Sequence, residues 1–287
     1  MPELTWNRYG KSRIRLVKVR KPHGGAHEIV DLTIDVQLEG AFEAVYVDGD
    51  NGPCLATDTM KNTVYAIARQ DPIDHVERFA QRLADHFLAK PAVTRARISA
   101  VEHRWDRLVA GGRPHPHAFV QPGGEHWTAV VSRDQAGSEI VSGLANLVVV
   151  KTTDSSFSGF PRDAYTTLPD TDDRILATSI TASWRYGAGA TDFAARDRIR
   201  AALVETFAAH NSRSVQQTLY AMGASALAAC VDVDAITLTL PNRHHPLVDL
   251  TPFGLDNPNE IFVATDQPFG VIEATIRREP PRTARHL

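Results

Sequence analysis

The spacing of apolar residues changes along the chain between strand-like and helical patterns, and these patterns predict its elements. The stretch KSRIRLVKVR at 11–20 mixes β-branched with basic residues, as strands do, whereas apolar residues recur at helical spacing after positions 57 and 73. The first half is predicted to contain two strands, two helices and two strands, at 11–20, 28–39, 57–69, 73–90, 94–108 and 117–133.

The same order of elements recurs in the second half of the chain. Residues 174–186 alternate cleanly, so that Leu176, Ile180 and Trp184 share one face of a strand. The elements predicted here are two strands, two helices and three strands, at 139–152, 174–186, 191–210, 214–229, 234–240, 260–265 and 270–277. Because the halves share element order and no obvious residue identity, we predict a repeat of architecture only, with domains at 1–135 and 136–287.

Elements in this order predict an α+β fold in which each half is an antiparallel sheet with its helices on one face. Sheets of this kind leave unpaired backbone groups along their free edges. Since proteins often cover such edges by assembly, we expect a homo-oligomer.

The amino-acid composition limits the classes of protein to which the chain can belong. The 287 residues are 43% hydrophobic and 23% charged, as in ordinary globular proteins, and a net charge of −3 indicates neither a nucleic-acid nor a membrane partner. No apolar run approaches a membrane span, and the N-terminal MPELTWNRYGK lacks the apolar region of a secretory signal. Cys54 and Cys230 are the only cysteines, which favours a reducing cytoplasm, and Arg285-His286-Leu287 is only faintly similar to the peroxisomal S-K-L signal.

The helix start at 57–59 has more polar residues than a helix needs. Thr57, Asp58 and Thr59 are each able to cap a helix, although one cap is sufficient. In the simpler interpretation, Thr57 caps the helix and Asp58 complements its dipole. In the alternative interpretation, this helix end is also the wall of a site.

Arg174 is a second candidate, because its position in the alternating pattern starts its side chain on the apolar face of the strand at 174–186. A half-buried arginine needs a polar or acidic partner, which is either Asp172 or Asp173 or else a ligand. The planar guanidinium suits bidentate contact with a planar, anionic or carbonyl-rich group.

Ser214-Val215-Gln216 begins the second helix of the second half. A helix N-terminus offers unpaired backbone N–H groups to an anion, and a glutamine amide offers both a donor and an acceptor. The alternative is that Gln216 is an ordinary residue at the boundary of the buried face.

The loop LPNRHHPLVDL at 240–250 displays Asn242, Arg243, His244 and His245 between two prolines. Adjacent histidines invite a metal interpretation, but neighbouring residues of an extended chain point apart and no third ligand has a recognisable spacing. We therefore predict no metal site.

Six blocks of the chain are similar to urate oxidase (uricase), in that family's order and over nearly the whole length. They are YGK at 9–11, ATDTMKN at 56–62, FSGFPRDAYTTLPDTDDRIL at 157–176, SVQQTLYAMG at 214–223, LPNRHHPLVDL at 240–250 and NPNEIFVATDQPFGVIEATI at 257–276. The resemblance implies two T-fold domains per subunit and a homotetramer around a tunnel, with active sites at subunit interfaces. It implies that urate, O2 and water give 5-hydroxyisourate and H2O2 with neither metal nor organic cofactor.

The resemblance also implies substrate-binding residues. Arg174 and Gln216 match the clamp on the planar purine dione, and Phe157 matches the ring stacked on the purine face. Backbone groups of Val215 and Asp58 would bind substrate edges.

Catalytic residues follow from the same resemblance. Lys11, Thr57 and His244 match the family's proton relay, with Thr57 reaching the site from a neighbouring subunit. Asn242 matches the residue at the O2 or water site above the ring. Position 243 is arginine where the family pattern leads us to expect lysine, which puts the fine geometry of that loop in question.

Two other functions fit a chain of this kind. Pterin-forming cyclohydrolases share the T-fold and bind purine-like rings, some of them with zinc, so stoichiometric zinc would favour that class. A non-catalytic purine-binding protein would keep the clamp without needing the relay of Lys11, Thr57 and His244.

Overall fold

The computed structural model describes residues 2–187, 190, 193–265 and 267–278. Contacts divide the chain into two units, Met1–Gly143 and Leu144–Leu287, each with its own core. The domain boundary at 135 stays a prediction. Among the described helices, none is long and apolar enough to cross a membrane.

The first unit contains strands, helices and a small extra hairpin. Its elements are β1 Tyr9–Arg20, β2 Glu28–Gly40, α1 Glu43–Val47, α2 Thr57–Gln70, α3 Val76–Leu88, β3 Val93–His103, β4 Asp106–Ala110, β5 Arg113–Val120 and β6 His126–Asp134. The strand β7, Gly137–Lys151, begins in this unit and ends in the second.

The main sheet of the first unit has the order β1-β2-β3-β6-β7, and β1–β2, β2–β3 and β3–β6 are antiparallel. Alternate residues of β2, such as Leu32, Ile34 and Val36, are fully buried because they face the helices. The helix α3 packs on β3 and β6, and α2 packs on β1, which places the start of α2 beside the edge strand.

The second unit continues from β7 with the same plan. Its elements are β8 Leu176–Tyr186, α4 Ala195–Ala209, α5 Val215–Ala229, β9 Val233–Arg243, a short 3-10 turn Thr251–Phe253 and β10 Gly270–Arg277. The sheet order is β7-β8-β9-β10, and α5 packs on β9 and β10. Gly223 permits this close approach, because a Cβ there would lie 2.6 Å from Cδ1 of Ile276.

The structure confirms the two-fold order of elements and the α+β class, and it corrects two details in the first unit. The strands predicted at 94–108 and 117–133 are each broken, and β4 and β5 form a separate hairpin. The chain leaves the main sheet after His103 because the indole N–H of Trp105 donates to the buried carboxylate of Asp31 at 3.0 Å. The short helix α1 has no counterpart in the predicted elements.

Two differences concern the second unit. Residues 260–265 form no strand, because the side chain of Asn257 accepts the N–H groups of Glu260 and Ile261 at 3.0 Å and leaves only an isolated bridge from Leu247 to Phe262. The helix predicted at 191–210 begins at Ala195, while positions 191–192 lie outside the described residues, as do 279–287 with the C-terminal tripeptide.

Candidate active site

The start of α2 carries two of the predicted site residues, and none of its three polar residues caps it. The N-cap is Ala56, which has no side-chain acceptor, and Thr57 is the first helical residue. The carboxylate of Asp58 accepts hydrogen bonds from Lys61 and from Nδ2 of Asn62, the latter at 3.0 Å. The interpretation that Thr57 caps the helix is therefore wrong, and the first-turn N–H groups have no side-chain acceptor among the described residues.

Lys11 lies near this helix start. It is half-buried in β1, where the pairing with β2 shifts register between Lys11 and Ile14. The hydrogen bond and charge of Lys61 hold the pKa of Asp58 below its usual range, and the positive charge of Lys11 acts in the same direction. The first unit therefore brings Lys11 together with the helix end that carries Thr57 and Asp58.

Tyr9 connects the strand of Lys11 to the helix of Thr57, and sequence reasoning did not single it out. Its hydroxyl accepts the backbone N–H of Leu55 at 2.8 Å, and its ring meets Phe42 edge-on at 4.8 Å. Burial, followed by a hydrogen bond with the Cys54 thiol, raises the pKa of Tyr9 to about 12. Its signal in the sequence is its place in the block YGK at 9–11, two positions before Lys11.

Arg174 lies two residues before β8 and is half-buried. Burial lowers its pKa, and its Nε is buried with no hydrogen-bond partner among the described residues. The carboxylate of Asp173 accepts instead from Oγ1 of Thr153 at 3.1 Å, and within the described part of the chain neither Asp172 nor Asp173 satisfies Nε of Arg174. Of the two partners expected from the sequence, a ligand is the one that the geometry favours.

Phe157 stands beside Arg174, with the guanidinium carbon 5.4 Å from the ring centroid. The backbone of Phe157 exchanges two hydrogen bonds with Thr171, at 2.8 and 3.0 Å, which closes the loop between them. The ring is also stacked on Phe160, with centroids 4.9 Å apart and planes at 12°. Sequence reasoning missed Phe160, whose only signal is its spacing in FSGF.

The start of α5 is capped by side chains, unlike that of α2. Oγ of Ser214 accepts the N–H of Gln217 at 3.1 Å, and Oε1 of Gln217 accepts the N–H of Arg213 at 2.9 Å. Gln216 takes no part in this cap, and its side chain is exposed rather than near the buried face. Val215 is buried at the first helical position, so its backbone N–H points out of the helix end.

The segment of Phe157 runs beside this helix start. Ser155 forms a parallel bridge with Ser212, and the N–H of Ser156 donates to the carbonyl oxygen of Ser212 at 2.7 Å. The second unit therefore brings Phe157 close to the residues that precede Val215.

The end of β9 contributes Asn242 and His244. Nδ2 of Asn242 lies 3.5 Å from Nδ1 of His244, and Nδ1 of His245 lies 3.0 Å from the carbonyl oxygen of Arg243. A pocket of about 460 Å³ has Arg174, Asn242 and His244 in its wall. Within the described part of the chain, no group of three or more His, Cys, Asp or Glu side chains is arranged to hold a metal ion.

A family model identifies the family of the chain. The model named Uricase matches residues 7–132 and 140–273, which is most of the chain. The chain belongs to the uricase family. The resemblance in the six blocks is thereby confirmed.

Individual relatives agree over almost the whole length of the chain. The uricase of Arthrobacter globiformis is 48% identical over 278 residues, covering 96% of this chain and 90% of that protein. The uricase of Dictyostelium discoideum is 36% identical, covering 98% of this chain and all of the relative. The crystal structure of the Arthrobacter enzyme superposes with a TM-score of 0.92 at 46% identity, over 99% of this chain and 97% of that one.

A more distant structure shares the fold of this chain. The uricase from Bacillus fastidious superposes with a TM-score of 0.83 at 24% identity, over 96% of this chain and 94% of that one. The α+β class expected from element order is therefore the class of the family's solved structures.

Proposed function

We infer that this member of the uricase family catalyses the oxidation of urate by O2, giving 5-hydroxyisourate and H2O2 with the consumption of one water. The observation that carries the inference is the guanidinium of Arg174, which is half-buried, has an unpartnered Nε and lies beside an aromatic ring. Family membership makes the chain an oxidoreductase that acts on urate with O2.

Substrate binding follows from charge and shape. Urate is a planar anion with carbonyl groups on its edges, so the fork of Arg174 and the free amide of Gln216 are matched to it in charge and hydrogen-bonding capacity. Phe157 provides the ring on which the purine stacks. The N–H groups of Val215 and Asp58 bind the remaining edges, since both stand at helix N-termini.

Proton transfer is the task of Lys11, Thr57 and His244. Oxidation by O2 without a cofactor needs an electron-rich substrate, so the urate monoanion loses a further proton before it reacts. Thr57 passes that proton to Lys11, which accepts it in its uncharged amine form, His244 is the outer member of the relay, and Asn242 holds O2 and then water above the ring. The contact between Asn242 and His244 at 3.5 Å supports this grouping.

The enzyme works as a homotetramer of paired T-fold domains, 1–135 and 136–287, with each site shared by two subunits around a tunnel. Support comes from large apolar side chains exposed after β9, which a monomer would leave in water. They are Leu247, Phe253, Leu255, Ile261, Val263 and Phe269. The free thiols of Cys54 and Cys230 are in keeping with a cytoplasmic enzyme.

The direct test is loss of the ultraviolet absorbance of urate together with release of peroxide, in buffer treated with a chelator. We expect both signals, and no loss of absorbance would refute the enzyme assignment. Stoichiometric zinc in the purified protein would favour a cyclohydrolase. If Lys11→Met and Thr57→Ala each left turnover intact, the relay would be wrong.

Shared sites are tested by mixing two inactive variants, Thr57→Ala and Arg174→Ala, and reassembling them together. If each site takes Thr57 from one subunit and Arg174 from another, about one quarter of the sites in randomly mixed oligomers carry both native residues. Recovery of that activity is the expected result. Each variant reassembled alone is the control, and a mixture as inactive as the controls would contradict shared sites.

A further inference from the structure

Two rings and two guanidinium groups of the loop between β7 and β8 form one continuous series of contacts. The guanidinium carbon of Arg174 lies 5.4 Å from the centroid of Phe157, which is stacked on Phe160 at 4.9 Å. The guanidinium carbon of Arg162 lies 5.1 Å from the centroid of Phe160. Each contact has the geometry of an attractive ring–ring or cation–ring interaction.

The outer end of the series is anchored by Asp170. Its Oδ2 lies 3.2 Å from NH2 of Arg162, and its Oδ1 accepts the N–H of Gly159 at 3.1 Å. NH1 of Arg162 also donates to the carbonyl oxygen of Leu168 at 3.2 Å. The cation over Phe160 is thus held by the opposite side of its own loop.

A glycine with a positive φ lies between the two phenylalanines. Gly159 has a φ of +73°, which a residue with a Cβ adopts only at a cost. Gly159 lies in this conformation between the two stacked rings. The four residues FSGF therefore contain both stacked rings and the glycine between them.

We propose that Phe160 is a positioning residue for substrate binding, an inference that rests on the proposed function. A parallel stack covers one face of the Phe157 ring, so that face is closed to a planar purine. Because both rings are half-buried in a loop, neither is fixed by the core of the unit. The stack fixes the plane of Phe157, and with it the plane in which the substrate meets Arg174.

The experiment compares Phe160→Leu, Phe160→Met and Phe160→Tyr in the full-length oligomer. The readouts are KM and kcat for urate, inhibition by xanthine as a planar purine dione, and the midpoint of thermal unfolding. Leu and Met remove the ring but keep apolar volume, so a poorly folding Leu variant is replaced by Met. The Tyr variant keeps the ring and should restore the wild-type values.

We expect the Leu and Met variants to raise KM and the xanthine inhibition constant by about 2- to 10-fold, because a fold-change of this size corresponds to the interaction energy of one aromatic pair. The value of kcat should change by less than about twofold, because the relay residues are untouched. Tyr165→Leu is the matched control, since Tyr165 lies in the same loop and is 91% exposed. It should leave all three values unchanged.

Two results would overturn the positioning role. One is an unchanged KM and xanthine inhibition constant in both non-aromatic variants. The other is a lower kcat and unfolding midpoint with unchanged KM, which would make Phe160 a purely structural residue. If the wild-type protein neither oxidised urate nor bound xanthine, the proposed function would fail first, and the two failures are therefore distinguishable.

Discussion

Removing one oxygen atom from Tyr9 tests whether the strand of Lys11 and the helix of Thr57 are held together by that hydroxyl. Tyr9 stands two residues before Lys11, and Leu55, whose N–H it accepts at 2.8 Å, stands two residues before Thr57. In Tyr9→Phe the edge-on contact with Phe42 remains, so the change removes the tether without opening a cavity.

The magnitude follows from the donor that loses its partner. An unsatisfied buried N–H costs about 1–3 kcal/mol, and because Leu55 is only half-buried we expect the lower end, about 1 kcal/mol. The effect on turnover should be larger, because a small displacement of a proton-transfer group from its productive geometry slows the reaction steeply. We expect kcat to fall about tenfold with KM nearly unchanged.

The tyrosine also gives a pH signature. Since the folded-state pKa is raised from 10.0 to about 12, the folded protein keeps a proton that the unfolded chain loses in this range. The contribution of Tyr9 to stability is therefore fully present below pH 10 and is lost as the pH rises towards 12. The unfolding free energy, measured with denaturant, should fall more steeply with rising pH over this window in the wild type than in Tyr9→Phe.

The matched control is Tyr46→Phe, because the hydroxyl of Tyr46 donates to the carbonyl oxygen of Arg8 at 3.2 Å on an exposed surface. It should retain both stability and turnover. A Tyr9→Phe enzyme with wild-type kcat would refute the positioning argument, even if its unfolding free energy fell. Wild-type stability as well would show that the Leu55 N–H has another partner.

Three further predictions concern other residues. Arg174→Lys keeps the charge but loses the fork, so KM for urate should rise at least about tenfold in steady-state assays, and an unchanged KM would mean that bidentate binding is absent. Ser214→Ala removes the cap of α5 and should lower the unfolding free energy, measured by urea denaturation, by about 1 kcal/mol. An unchanged unfolding free energy would show that the cap does not contribute to stability. Burial, and then the charge of Arg15, lower the pKa of His103, so its contribution to stability is present above about pH 6.5 and is lost below it. His103→Gln should therefore flatten the decline in unfolding free energy between about pH 7.5 and 5.5. An unchanged slope would contradict this.

Elements whose burial is periodic could be predicted from the sequence. The helix expected at 57–69 is Thr57–Gln70, because Met60, Val64 and Ile67 form one buried stripe. The breaks in the predicted strands could not be predicted, since they depend on contacts between distant positions. Trp105 and Asp31 are 74 residues apart, and no local pattern reports their hydrogen bond.

The residues of the candidate site also fall into those that the sequence could identify and those that it could not. Arg174 could be selected because a charge in an alternating apolar strand needs a partner, and the structure provides no protein partner for its Nε among the described residues. The other proposed roles came from resemblance rather than from spacing. The roles of Phe160 and Tyr9 could not be predicted, because an aromatic residue in a loop or strand has no distinctive sequence pattern until its neighbour in space is known.

Capping differs between α2 and α5, the two helices whose N-termini we propose to bind urate, and the difference yields a last prediction. At α5 the Ser214 side chain accepts the N–H of Gln217, whereas at α2 no side chain among the described residues caps the helix end. Ala56 has φ −56° and ψ 135°, an extended backbone that suits an N-cap, so Ala56→Ser should install one and add about 0.5–2 kcal/mol to the unfolding free energy.

The same serine should impair the enzyme. Its hydroxyl would accept from the N–H groups that we propose for urate, so the KM of Ala56→Ser should rise although the protein is more stable. Steady-state kinetics and urea unfolding of one preparation measure both effects, and Thr59→Ser, at an exposed position of the same turn with no proposed role, is the control. A more stable Ala56→Ser enzyme with wild-type KM would show that urate does not use these donors. The two measurements together therefore test whether urate, rather than a capping side chain, binds the N-terminus of α2.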